Sequence, residues 1–111
     1  MNNIAIFASG SGSNAQCITE YFYKHNNIYV SLILSNKPDA YVLERAKKMG
    51  VPTHVFNRQQ FYESQDVLSV LNQKNITHIV LAGFLWLIPD YLIDAYSGRI
   101  INIHPALLPK H

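Results

Sequence analysis

The chain has 111 residues, of which 49% are hydrophobic and 14% charged. That composition predicts one packed domain and excludes a disordered or low-complexity protein. The formal charge of +2 is accompanied by no lysine or arginine stripe, which argues against a nucleic-acid partner.

Cys17 is the single cysteine, so no internal disulfide can form, and a reducing compartment fits. No cationic start precedes the apolar residues 4–8, so no signal peptide is expected. The apolar run 79–88 is too short for a bilayer and is broken by Gly83, so no membrane association is expected and a cytoplasmic location is.

Residues 4–8 form a continuous apolar run of the kind that makes strands buried on both faces. Gly10-Ser11-Gly12-Ser13-Asn14 follows. Ser13 and Gln16 have capping-box spacing, which predicts a helix from about Asn14 with Cys17, Ile18, Tyr21 and Phe22 inward, failing near 25–27. A second strand is expected over 29–34. Asp39 then reads as the N-cap of a helix burying Val42, Leu43, Ala46 and Met49, with Gly50 as the left-handed residue past its end. Lys47 and Lys48 complement that helix's dipole.

A short strand over 52–56 precedes a helix from about 64 to 74 with Val67, Leu68 and Leu71 inward. Residues 78–82 read as a fourth strand, 84–88 as an apolar loop or helical turn, and 89–96 as a helix stopped by Ser97-Gly98. The last strand, through Ile100, Ile101, Asn102 and Ile103, runs into His104-Pro105, where proline ends the ladder. Strands alternating with helices predict an α/β fold, a Rossmann-like parallel sheet with helices on both faces. Ligands of such sheets sit beyond the carboxyl ends of the strands, where strand order reverses.

Three segments would share that rim. Gly10–Asn14 brings small residues to a strand-to-helix turn, where backbone N–H groups and a helix N-terminus suit a phosphate. A turn chosen for backbone angles and capping alone is the plainer alternative. Gly10 to Ala15 also satisfies the G-x-G-x-x-G/A dinucleotide fingerprint. An acid to hold the ribose is missing after the second strand, where Ser35-Asn36-Lys37 stand, so a nicotinamide-dependent oxidoreductase is a distant reading.

Residues 81–88 could wall a flat heteroaromatic ligand. Phe84 and Leu87 are expected in the core, and Trp86 is divided between core and ligand wall. Strand alternation points Asn102 and His104 one way, and Ile101 and Ile103 the other. An amide that can donate to an oxyanion would then stand beside an imidazole that can move a proton. A histidine before proline also serves as a capped turn residue.

Gly10-Ser11-Gly12-Ser13-Asn14, Leu81-Ala82-Gly83-Phe84 and Asn102-Ile103-His104-Pro105-Ala106-Leu107-Leu108-Pro109 together resemble the folate-dependent formyltransferases, over the whole chain. The early first strand and its Gly-Ser loop are most similar to the branch that formylates glycinamide ribonucleotide in purine biosynthesis. The resemblance implies that 1–111 is the N-terminal part of the formyltransferase fold, cut or naturally short. It implies 10-formyltetrahydrofolate as cosubstrate, glycinamide ribonucleotide as acceptor, and no metal.

By the same resemblance, Gly12, Ser13 and Asn14 hold the substrate phosphate. Phe84, Leu85, Trp86, Leu87 and Asn102 line the folate site, and Asn102 and His104 are catalytic. Some members carry Arg where Trp86 stands, and the family's further catalytic Asp falls beyond residue 111. A formyltetrahydrofolate hydrolase of the same superfamily and a non-catalytic phosphate- or nucleotide-binding fragment are the alternatives.

Overall fold

Asn2–Phe7 forms β1, whose Ala5, Ile6 and Phe7 are fully shut from water. In the computed structural model, which describes residues 2–103, it is the central strand of a five-stranded sheet ordered β3-β2-β1-β4-β5. β2 is Ile28–Ser35, β3 Thr53–Val55, β4 His78–Ala82 and β5 Ile100–Ile103, and every neighbouring pair is parallel. The Rossmann-like reading is met.

Because side chains alternate along each strand, the central strands feed two cores. Ile4, Ile6, Ile33, Val80 and Ala82 pack with Ala15 of α1 (Ser13–Phe22) and with Val42 and Ala46 of α2 (Tyr41–Met49). On the opposite face Phe7, Leu32, Leu34, Ile79 and Leu81 pack with three further helices. These supply Phe61 from α3 (Arg58–Tyr62), Val67 and Leu71 from α4 (Asp66–Gln73), and Leu92 from α5 (Asp90–Ala95).

Two helix starts differ from expectation. Ser13 does not cap α1, because it is already the first helical residue. Gly12, at φ 80°, occupies the cap position with no side-chain hydrogen bond. The Gln16 side chain is engaged elsewhere, accepting from Arg45 Nη1 (2.6 Å) and donating to Glu20 Oε2 (3.0 Å). Asp39 does not cap α2 either. Ala40 holds the extended cap position, and the Val42 N–H is taken by the Gly10 carbonyl at 3.1 Å, so a tertiary backbone contact does the work assigned to a side chain.

The inner face of α1 is also rotated from the predicted one. Ala15 and Thr19 are buried and Ile18 and Phe22 partly so, whereas Cys17 and Tyr21 are exposed. The true stripe includes a threonine whose hydroxyl is satisfied by the Ala15 carbonyl at 2.7 Å, which is why a count of apolar residues missed it. A capping box does occur, at α3. Asn57 Oδ1 accepts from the Gln60 N–H and Gln60 Oε1 from the Asn57 N–H, both at 2.8 Å. Apolar periodicity gives no sign of α3, which buries only Phe61, although the Asn57/Gln60 spacing announces it.

Candidate functional site

Strand order reverses between β1 and β4: the chain steps outward from β1 to β3, then returns to the other side of β1. After β1 it enters α1 on the face of Ile6 and Ala8. After β4 it runs through Phe84 and Trp86 on the face of Phe7 and Leu81. Parting to opposite faces opens a crevice at the sheet's carboxyl edge, the usual ligand position in open α/β sheets.

Gly10, Ser11, Gly12, Ser13 and Asn14 line a hollow of about 90 Å³ there, closed by Ala82 and Gly83. Gly12 is required twice. Its φ is left-handed, and a Cβ on it would lie 2.5 Å from Val42 Cβ and 2.8 Å from Val42 Cα. The Gln16 N–H donates to the Gly12 carbonyl at 2.8 Å, so Ser13, Asn14 and Ala15 have no carbonyl one turn back within α1. Unpaired backbone donors and the positive end of a helix dipole are the features that suit such a hollow to an anion. Arg45, from α2, adds full positive charge beside it. Its Nε donates to the Ser11 carbonyl at 2.7 Å, and its guanidinium stands 5.1 Å from the Tyr41 ring centre. Sequence reasoning missed Arg45, since nothing near it in the chain marks the cradle it supports.

Gly83, at φ 74°, turns the chain out of β4, and the following residues alternate. Phe84, Trp86 and Ile88 pack on the core, while Leu85 and Leu87 are 73% and 85% exposed. The expectation that Leu87 is core is thereby corrected: alternate residues of the segment turn inward, and Leu85 and Leu87 face solvent. Trp86 sits among Phe56, Tyr62 and Phe61 with ring centres 6.0, 6.0 and 6.1 Å away, and the Arg58 guanidinium covers it at 4.7 Å. Tyr62 Oη donates to the Leu87 carbonyl at 2.6 Å, pinning the far end of the loop. The outcome is an aromatic base with two exposed leucines at the rim.

Asn102 pairs in register with Leu81, so it stands on the face that carries Phe84 and Trp86, and it is exposed. β4 alone separates β5 from β1, which sets Asn102 about 10 Å from the strand that feeds the glycine cradle. His104, its expected partner, lies outside the described residues. Among those described, no three His, Cys, Asp or Glu side chains gather where they could hold a metal ion, and no helix is long and apolar enough to cross a membrane.

The family model described as Formyl transferase matches residues 2–111. Phosphoribosylglycinamide formyltransferase of Bacillus subtilis is 38% identical over 114 residues, covering 98% of this chain and 58% of that protein. The Escherichia coli protein of the same name is 37% identical over 116 residues, covering 98% of this chain and 54% of its own. Among solved structures, glycinamide ribonucleotide transformylase 1 from Geobacillus kaustophilus superposes with a TM-score of 0.85 at 40% identity, covering 98% of this chain and 61% of that one. The chain spans little more than half the length of the curated relatives it matches.

Proposed function

The chain belongs to the formyl transferase family, and from that premise we propose that it carries the nucleotide-binding half of an enzyme transferring a formyl group from 10-formyltetrahydrofolate to the amine of glycinamide ribonucleotide. One observation supports the reading: the glycine-lined hollow, the 84–88 segment with its two exposed leucines, and Asn102 all lie at the carboxyl edge of the sheet where strand order reverses. Gly12, Ser13 and Asn14 receive the ribonucleotide phosphate, with Arg45 offsetting its charge. Leu85 and Leu87 offer apolar surface to a flat pterin, backed by Phe84 and Trp86, and Asn102 closes that side.

Asn102 donates its amide N–H to the oxygen on which charge collects as the amine adds to the formyl carbon, a contribution of about 3 kcal/mol for one such donor. His104 supports the same charge while a proton leaves the amine and one reaches the departing nitrogen. This chemistry asks for no metal. The location in the purine pathway and the cytoplasm follows from the same reading.

Formyl transfer is measured with the chain joined to the carboxyl-terminal remainder of the Bacillus subtilis relative, and ribonucleotide binding with the chain alone. Turnover in the joined protein and saturable binding by the chain are expected. Formate released without acceptor would instead favour the hydrolase. Binding with no turnover even when joined would leave a non-catalytic phosphate-binding unit.

A further inference from the structure

Just beyond β1, Ser9 is 2% exposed, a position where a polar group is costly unless its hydrogen bonds are made. They are made on both sides of one residue, Phe84. The Ser9 N–H donates to the Gly83 carbonyl at 3.2 Å, and the Ser9 hydroxyl accepts from the Leu85 N–H at 2.9 Å. The same hydroxyl donates to Asn36 Oδ1 at 2.7 Å. Asn36 follows β2, is 7% exposed, and its Nδ2 has no partner among the described residues. The carboxamide oxygen thereby fixes the orientation of the Ser9 hydroxyl.

Three strand ends, those of β1, β2 and β4, thus converge on a single oxygen. The cradle is held separately, by the Gly10 carbonyl on the Val42 N–H at 3.1 Å and the Ser11 carbonyl on Arg45 Nε at 2.7 Å. The Ser9 hydroxyl thus ties down the start of the 84–88 segment, and neither of the cradle's two supports passes through it.

We propose that Ser9, oriented by Asn36, is a positioning residue for the formyl donor: through the Leu85 N–H it sets where Leu85 and Leu87 stand at the rim, without touching the ligand itself. The inference rests on the reading that this loop walls the folate site.

Trp86 is the chain's one tryptophan and lies inside the loop, so its fluorescence reports the loop directly. The full chain is titrated with 10-formyltetrahydrofolate and, separately, with glycinamide ribonucleotide, as wild type, Ser9→Ala, Ser9→Thr and Asn36→Ala. Losing one hydrogen bond of ordinary strength predicts that Ser9→Ala weakens donor binding about five- to tenfold. Its Trp86 emission shifts and becomes easier to quench, while ribonucleotide affinity stays within about twofold, less than even a weak hydrogen bond would change it. Ser9→Thr, which keeps the hydroxyl, returns donor binding toward wild type. Asn36→Ala gives a smaller loss in the same direction and serves if Ser9→Ala fails to fold.

Unchanged donor affinity in both Ser9→Ala and Asn36→Ala overturns the inference, as does equal weakening of both ligands or a Ser9→Thr chain no better than Ser9→Ala. A wild-type chain that binds ribonucleotide and no donor overturns the donor-site reading, and the inference with it.

Discussion

Asn102 and Gly12 show how differently single residues can matter at one edge of a sheet. Asn102 is exposed at the end of β5 and contributes nothing to either core, so truncating it costs little stability. In the joined enzyme, Asn102→Ala is expected to lower kcat by about 10² with KM nearly unchanged, the signature of a donor used in the transition state. His104→Ala should do the same, and steady-state rates no different from wild type would remove either residue from the mechanism. Gly12 is the opposite case. Gly12→Ala forces a side chain into a left-handed backbone and against Val42. It is expected to cost about 2 kcal/mol or more in urea unfolding, combining backbone strain with overpacking. Ribonucleotide binding should be lost along with it. A chain as stable as wild type that still binds would show the cradle to be more pliable than its geometry implies.

At the scale of elements, the loops after β1 and β4 form the carboxyl edge where strand order reverses, and the strands hold them. In the 84–88 segment alternate residues are partly buried, Phe84 and Trp86 against an aromatic cluster, with ring centres 5.4 Å apart for Phe7 and Phe84 and 6.0 Å for Phe56 and Trp86. β3, at one end of the sheet order, carries a different sensitivity. The Nε2 of His54 is buried with no partner among the described residues. Burial holds this imidazole below the ordinary histidine value of 6.5, and the nearby Asp66 carboxylate offsets part of that. A histidine whose pKa is lowered by folding binds protons more readily when unfolded. Its contribution is therefore whole above pH 6.5 and declines as the pH falls through the folded value. Thermal unfolding should show a midpoint that drops between pH 7 and pH 5, about the range in which histidine titrates, more steeply in the wild type than in His54→Gln. Parallel curves would assign the acid sensitivity to other groups.

Across the whole molecule, the two cores join through one sheet with a radius of gyration of 13.3 Å, close to that of an independent domain of this length. A ligand held at the sheet's edge should therefore stabilise everything at once. Glycinamide ribonucleotide at 100 times its Kd is expected to add about 2.7 kcal/mol to the unfolding free energy, read as a higher urea midpoint. The Gly12→Ala chain should show no such shift, and a wild-type midpoint indifferent to the ribonucleotide would count against the cradle as its site. The elements and their faces were largely legible in the sequence, β4 to the residue, because apolar runs and glycine stops act on the chain locally. The resemblance to formyltransferases was legible as well, carried by short motifs at strand ends. What only the tertiary structure decided lies between residues far apart in the chain. Arg45 supports Ser11 from 34 positions away, and Ser9 reaches Leu85 across 76. The outward face of Leu87 and the Val42 wall against Gly12 belong with these. A side chain's neighbours three or four residues along are set by helix or strand geometry, whereas its neighbours across the sheet exist only once the strands have taken their order.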